Sequence, residues 1–600
     1  MNTIKTGPQA RPHKHAPKRG RAHPTQRPQA HGSKKEGTST QTQSHDGLTF
    51  VPLGGLEEIG RNMSVFEYKN EIIIVDMGLQ FPEEDTPGID YIIPNIEGLM
   101  EKRSHIKGII ITHGHYDHIG AIPYLIDKLG ANIPIYGADL SNEIIKRHQG
   151  DFPHAPQLKL VSVKNGDVVK MSEHIEVEFF EITHTIPDSL ALVIKTPVGN
   201  MAYCTDLKIT YDIDGVADPR EIKTYTDIGS RGIHTLFLES TGADRAGQSI
   251  SEELVQQNID ALIAGAKDRI IIGLFASLLT RVSDIINIAE KHGRKVFLSG
   301  FSLKTNVQIA QNLGYIKPKK GTLLSIEELH RYKDDKVLIL STGAQGEPNA
   351  SLMKIVNGIH RQVTIKKGDT IIFSSSVIPG NERPIQSLKD NLTRQGAHVY
   401  QTEHLDVHSG GHGPAEDLKT VIGLVAPKFF LPIHGWYFMR AANVRLATQM
   451  GIEEKNTLLV DNGQVVHITP KGLSVAKETL PAYYIMVDGL GVGDVEEIVL
   501  RDRVALSQEG MIVVFVTLDR RTGSLIKNPD IISRGFIHLR DNKDLIEDMR
   551  TKVKKIIGHI PHVHSVESDY LKALLRDQLG SFVYNKTKRR PMILPAIIKV

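Results

Sequence analysis

The sequence predicts a multi-domain α/β protein, and three observations carry that reading. At 600 residues the chain is too long for one hydrophobic core. From about 240 to 395, short apolar strands alternate with helical patterns and each strand ends in hydroxyl or glycine residues, the signature of a parallel sheet covered by helices. On either side of that region, strand patterns run out into histidine or aspartate.

Residues 1–47 carry a net charge of +7, which leaves about −4 on the rest of a chain whose total is +3. This tail is rich in Pro, Gln, His, Thr and Lys and cannot bury enough apolar surface to fold, so it reads as a disordered basic segment, either a tether for RNA or a solubilising tail. Any nucleic-acid groove in the near-neutral body has to be local. No apolar run approaches the roughly 20 residues needed to span a bilayer, and the N-terminus has no apolar signal core. The single cysteine, Cys204, excludes an internal disulfide and thiolate zinc fingers and fits a reducing cytosol. Any metal therefore has to sit on histidine and carboxylate.

Order is expected from Leu48. Thr49–Leu53, Val65–Tyr68, Glu71–Met77 and Lys107–Thr112 read as strands, with Asp76 at the end of the third. Ile119–Leu129 reads as one helix. In the middle region the strands are Arg269–Ser277, Lys295–Gly300, Lys336–Gly343 and Thr370–Ser376. The helix over Ser251–Lys267 places Val255, Ile259, Leu262 and Ala266 on one face with Ser251 as its cap. The strand ends at Ser299-Gly300, Ser341–Gly343 and Ser374-Ser375-Ser376 offer hydroxyls and backbone N–H groups suited to phosphate. A polar stretch near 470–480 reads as a linker. Beyond it come strands at Tyr483–Val487 and Met511–Thr517, a charged helix over Asp541–Ile557 and a basic end.

The strongest chemical signal is His113-Gly114-His115-Tyr116-Asp117-His118, one residue after the apolar run Ile109–Ile111. Four of six residues can ligate a metal, and a turn can point His113 and His115 one way and Asp117 and His118 the other. His184, Asp206 and His434 each stand where a strand pattern becomes a loop, so all can converge at one sheet edge.

With those residues in view, the chain resembles the metallo-β-lactamase fold. Asp76, His184, Asp206 and His434 match its remaining motifs in order, and Glu239, His412 and His434 match the three motifs added by the β-CASP group. Gly54–Gly60, Ser341–Pro348, Pro379-Gly380-Asn381-Glu382 and Arg589–Pro595 narrow the resemblance to the ribonuclease J family, over about 48–600. The chain departs from the pattern in having Cys204-Thr205 before Asp206, Glu rather than Asp at 239, and Gly413-Pro414-Ala415-Glu416 after His412.

The resemblance implies a metallo-β-lactamase αββα sandwich (48–238 and 396–470), an inserted β-CASP parallel α/β domain (239–395), a linker (471–484) and a small C-terminal α/β domain (485–600) for dimerisation. It implies two zinc ions per subunit: His113, His115 and His184 on one, Asp117, His118 and His434 on the other, with Asp206 bridging. Magnesium or manganese substitute or assist. The metals would supply, by the same resemblance, a water acidic enough to attack the phosphodiester in line. Glu239, His412 and Asp117 are the catalytic side chains, the first two assisting proton transfer at the leaving oxygen. His408, Ser409, Gly410, Gly411 and His412, with Ser374, Ser375 and Ser376, form the substrate pocket. Gly88, Asp90 and Asp488 match a structural calcium site of some relatives. The implied activity is 5′-to-3′ exonuclease cleavage of single-stranded RNA with a 5′ monophosphate, together with endonuclease cleavage, in rRNA processing and mRNA decay. A cytoplasmic homodimer or tetramer, partnered by RNA-decay proteins and no membrane, completes the expectation. A DNA-directed nuclease of the same group, a small-molecule hydrolase and an inert RNA-binding scaffold remain the alternatives.

Overall fold

The structure is a computed structural model that describes residues 47–82, 86–378, 381–402, 405–489, 491–493, 497–537, 542–561, 563 and 566–600. The basic tail to Asp46, Pro379 and Gly380 of the family-like motif, and Asp541 of the charged helix lie outside the described residues.

Two large sheets face each other. The first runs Gly472–Thr479, Gln464–Thr469, Leu48–Gly54, Met63–Tyr68, Glu71–Val75, Ile106–Ile110, Pro134–Gly137, Lys159–Ser162. The second runs Phe429–Pro432, Ile233–Leu238, Gly199–Cys204, Ser189–Thr196, Glu176–Ile182, Val168–Lys170. Alternate residues of both sheets point into a shared core of Phe50, Phe66, Phe179, Tyr203, Phe237 and aliphatic neighbours. Phe50 and Phe66 pack on Phe237 with ring centroids 4.6 and 5.3 Å apart. The opposite faces are covered by helices. Ile122–Leu129 and Asp139–Gln149 seal the first sheet, and Pro219–Ser230, Ala415–Val425 and Tyr437–Gln449 seal the second. The layers are therefore helix, sheet, sheet, helix.

The middle region forms a third, all-parallel sheet in the order Leu323–Leu324, Lys295–Ser299, Val337–Ser341, Ile270–Gly273, Thr370–Phe373, His398–Tyr400. Its central strands are buried on both faces, which explains their unbroken Ile/Val/Leu runs. Helix Glu252–Gly265 covers one face through Val255, Ile259 and Ile263, capped by Ser251, whose Oγ accepts from the Leu254 amide at 3.3 Å. A separate C-terminal core packs helices Lys543–Gly558 and Ser568–Thr587 on the strands Asp530–Arg534, Met511–Leu518 and Met592–Lys599. Leu571, Leu575, Leu579 and Val583 recur every fourth residue on the buried face of the longer helix.

Three expectations are corrected. The helix expected over Ile119–Leu129 is two pieces, Tyr116–Ile119 and Ile122–Leu129, because the Ala121 amide bonds the Met77 carbonyl at 2.9 Å instead of continuing the helical ladder. The stretch read as a linker contains a strand, Gly472–Thr479, which pairs with Gln464–Thr469 at the edge of the first sheet. Ile485–Asp488 pairs with Tyr91–Ile93, so it belongs beside the front of the molecule and not in the C-terminal sheet.

Candidate metal centre

Strand register brings the site together. Cys204, Leu238 and Pro432 are aligned across three parallel strands, so the residues just beyond them, Asp206, Glu239 and His434, emerge at one edge. Glu176–Ile182 runs in the same direction and delivers His184. From the facing sheet, the parallel strands Glu71–Val75 and Ile106–Ile110 deliver Asp76 and the loop from Thr112 to His118. The Leu190 amide donates to the Thr112 carbonyl at 2.9 Å and ties the two sheets at this edge. Gly78 lets the 113–118 loop lie against the third strand: a Cβ there would stand 1.5 Å from the Asp117 carbonyl oxygen.

Two groups of donors result, one of His113, His115, His184 and Asp206 and one of His118, Asp206 and His434. In the first, His113 Nε2 lies 3.0 Å from His115 Nδ1, which lies 3.2 Å from His184 Nε2. Asp206 Oδ2 is 3.6 Å from His113 Nε2 and 3.7 Å from His184 Nε2. Four donors on a tetrahedral zinc at roughly 2.0–2.1 Å would stand about 3.4 Å from one another, so these spacings bracket a metal's requirement. In the second group His118 Nε2 lies 3.5 Å from Asp206 Oδ2 and 3.4 Å from Asp117 Oδ2, and His434 Nδ1 lies 2.8 Å from Asp206 Oδ1. Asp206 thus belongs to both.

Outer hydrogen bonds set the tautomers. His184 Nδ1 donates to the Gly411 carbonyl at 2.7 Å, leaving the Nε2 lone pair facing the centre. Thr112 Oγ1 donates to the Asp76 carboxylate (2.9 Å to Oδ2), so it accepts from His113 Nδ1 at 3.1 Å and leaves His113 Nε2 free. His118 Nδ1 donates to Asp76 Oδ2 at 2.8 Å. Asp76 therefore orients two of the histidines. Gly411 is needed where it stands, since a Cβ there would meet His184 Cε1 at 2.5 Å.

The charges agree with this geometry. Burial holds His113, His115 and His184 below the usual imidazole range, with neighbouring histidines adding to the effect, so their lone pairs are available. Burial also opposes charge on His118, but Asp206, Asp117 and Asp76 outweigh it and raise its pKa well above 6.5. Asp117 is half-buried and desolvation opposes its charge, yet the His118 charge and hydrogen bond bring it down to about 2. Asp206 is likewise held well below the carboxylate range, burial being overcome by His118 and His434. The pocket favours positive charge, and its N₃O donor set suits zinc.

His412 Nδ1 bonds Glu239 Oε2 at 2.7 Å, and Asp206, Glu239 and His412 present a third convergent group. Burial disfavours the His412 cation, but Glu239 and Asp206 raise its pKa to about 9. Glu239 is fully buried, and its other oxygen accepts from the Leu207 amide, so it reaches the centre only through His412.

The expected substrate pocket is partly corrected. His408 and Ser409 are buried, with Ser409 Oγ donating to the Ile250 carbonyl at 3.0 Å. Gly410, Gly411 and His412 are half-buried and face the centre's side. Ser374 is fully buried and donates to the Val407 carbonyl at 2.7 Å, so it supports the 407–412 loop from behind and cannot meet a substrate. Ser375 is half-buried and Ser376 exposed, its carbonyl accepting from Gln345 at 2.7 Å. The three residues of the calcium expectation already have protein partners. The Arg503 guanidinium donates to the Gly88 carbonyl at 3.0 Å and to the Asp488 carboxylate, while Asp90 Oδ2 accepts from the Gly489 amide at 2.8 Å. The Arg503 cation thus bonds two of the three groups that the calcium expectation names.

Sequence reading missed three residues. Asn62 Nδ2 reaches His118 Nε2 at 3.1 Å. Buried Asp417 accepts from Ser249 Oγ at 2.6 Å and from the Ile209 amide at 2.8 Å, fixing the loops beside His412. Exposed Arg245 donates to the His412 carbonyl at 2.6 Å. Asn62 and Arg245 sit outside patterned segments and Asp417 lies in the helix Ala415–Val425 among apolar neighbours, so only the fold shows what each of them touches.

Three family models match the chain: the β-lactamase superfamily domain over residues 87–221, the ribonuclease J β-CASP domain over 267–392, and the ribonuclease J C-terminal domain over 498–600. Ribonuclease J2 of Bacillus subtilis is 36% identical over 557 residues, spanning 92% of this chain and 99% of its own. Ribonuclease J 1 of Streptococcus pyogenes is 37% identical over 546 residues, spanning 91% and 96%. The chain belongs to the ribonuclease J family. Its fold is accordingly the metallo-β-lactamase fold with a β-CASP domain, and as a family member it is a nuclease. A crystal structure of a protein of unknown function from Enterococcus faecalis V583 shares the fold at TM-score 0.50 and 17% identity, covering 70% of this chain and 100% of the other. Among the described residues no helix is long and apolar enough to cross a membrane.

Proposed function

We propose that this ribonuclease J family member hydrolyses single-stranded RNA with two zinc ions, trimming 5′-to-3′ from a 5′ monophosphate and also cutting internally, in rRNA processing and mRNA decay. The observation that carries the reading is the pair of buried donor groups sharing Asp206, with burial keeping three of the histidines neutral. His113, His115, His184 and Asp206 would hold one ion, and Asp117, His118, His434 and Asp206 the other, with magnesium or manganese as substitutes. Bound there, the metals would supply positive charge that offsets the phosphodiester's and makes a water acidic enough to react near neutral pH.

The chain's own residues do the rest. His412, held by Glu239, carries the proton that the leaving oxygen needs, and Glu239 positions it. Gly410, Gly411 and the Arg245 guanidinium line the approach, and Arg245 adds the charge a terminal phosphate requires. We place the domains at 48–238 with 396–479, 239–395 for the β-CASP domain, and the last hundred or so residues for a C-terminal dimerisation domain. The single, buried cysteine fits work in the cytoplasm.

The test is cleavage of 5′-monophosphorylated RNA by wild type, Asp117→Ala and His412→Ala, with and without chelator, beside a matched DNA strand. Chelator and Asp117→Ala are expected to abolish cleavage. His412→Ala is expected to slow it by roughly 10²–10⁴-fold, the worth of a general acid, and DNA to be cut poorly. Full activity in Asp117→Ala refutes the mechanism.

A further inference from the structure

The residues that follow His434 form the most exposed run of aromatic side chains beside the centre. Trp436 is 37%, Tyr437 54% and Phe438 54% exposed. Single exposed apolar residues are ordinary on a surface, but three successive uncovered rings in one turn are not. These three crown the first turn of helix Tyr437–Gln449, two to four residues along the chain from a side chain whose Nδ1 is 2.8 Å from Asp206.

The turn that presents them is held rigidly to the centre. The Gly435 amide donates to the Gly55 carbonyl at 3.1 Å, and Leu56 and Gly435 form an isolated bridge. Buried Arg440 donates to the Gly435 carbonyl at 3.2 Å and to Val460 and Glu57. Its guanidinium also lies 5.8 Å from the Tyr437 ring centroid. The cation of this turn is thus shared with Glu57 and, at 3.7 Å, Asp461. What the turn offers a ligand is ring faces, not charge.

We propose that Trp436, Tyr437 and Phe438 are a stacking platform for unpaired nucleobases of a single strand whose backbone lies at the metal centre. The inference rests on the RNA-cleaving reading above and adds the group that grips the bases. Every base has a π-face, so such a platform is tolerant of sequence but selects unstacked strands over duplex. Stacking on one aromatic ring changes affinity roughly five- to 150-fold per base.

Trp436 is the only tryptophan in the chain and reports on its own surroundings. Its emission is followed as metal-loaded protein is titrated with an uncleavable 2′-O-methyl single strand bearing a 5′ monophosphate, and with an abasic strand of the same length. The base-bearing strand should quench it and the abasic strand should not. Tyr437→Ala and Phe438→Ala should each weaken binding about tenfold, with Trp436→Phe, which keeps a ring, near wild type. Equal quenching by the abasic strand would overturn the proposal, because phosphate would then be the ligand. So would emission that changes with protein concentration alone and is lost in Tyr437→Ala, which would make the surface a contact between copies. RNA cut normally while Trp436 stays silent defeats the platform and spares the nuclease reading. RNA neither bound nor cut defeats both.

Discussion

Asp76, Asp206 and His434 hold φ angles of 63°, 36° and 56°, in the left-handed region that side chains bearing a Cβ rarely adopt. Each such residue costs about 1–3 kcal/mol and persists only where its surroundings enforce it. Here the enforcement is visible: Asp76 accepts from the Thr112 amide and hydroxyl and from His118, and Thr205 Oγ1 bonds both Asp206 Oδ1 at 3.0 Å and His434 Nε2 at 2.9 Å. The strain aims three strand ends at one point. Asp76 touches no proposed metal position, yet it orients His118 and, through Thr112, His113. Asp76→Asn is therefore expected to lower zinc affinity 10–100-fold, the usual worth of such a supporting carboxylate. A competition titration against a fluorescent chelator measures it. Unchanged affinity would show that the histidines are oriented by packing alone.

At the scale of elements, strand ends were legible and their pairing was not. The apolar runs before His113, His184 and His434 are strands because each is largely buried and rich in β-branched or aromatic residues, while Gly199–Cys204 before Asp206, with Tyr203 as its one such residue, is held by pairing on both sides. Their register, which aligns Cys204 with Leu238 and Pro432, depends on contacts hundreds of positions apart that no local pattern encodes. The polar strand Gly472–Thr479 was unreadable because it is an edge strand exposed on most of its length. The edge of the second sheet carries a pH-sensitive clamp. Glu178 on Glu176–Ile182 bonds Arg231 Nη2 at 2.6 Å and faces Lys195 Nζ at 3.0 Å. The Arg231 hydrogen bond, assisted by Lys195 and opposed by burial, lowers the Glu178 pKa from 4.5. A carboxylate depressed on folding stabilises the folded state fully above its unfolded value and ceases to do so as pH falls through the folded one. Wild type should accordingly melt higher than Glu178→Gln at neutral pH, with the gap closing on acidification below about pH 4.5. A gap independent of pH would mean that shape, not charge, is what Gln fails to replace.

Over the whole molecule, the family's domains are legible from motifs, while the ties between distant segments are not. The calcium expectation shows why. Gly88, Asp90 and Asp488 are all present, and only the fold reveals that Arg503, on a helix with no distinctive pattern, reaches into the same place. Its guanidinium joins the 87–90 turn to the segment at 488, beside the pairing of Tyr91–Ile93 with Ile485–Asp488. Calcium should not shift the wild-type melting temperature, whereas Arg503→Ala should melt lower and gain calcium dependence. A calcium-stabilised wild type would contradict the assignment. Seven side chains, brought from both sheets, are proposed to hold two metal ions across Asp206. Metal content of purified protein, measured by inductively coupled plasma mass spectrometry, tests it most directly. About two zinc ions per chain are expected in wild type, about one in His434→Ala and nearly none in Asp206→Ala. Wild-type protein that binds no metal after zinc loading and desalting, or Asp206→Ala that retains both ions, would contradict it.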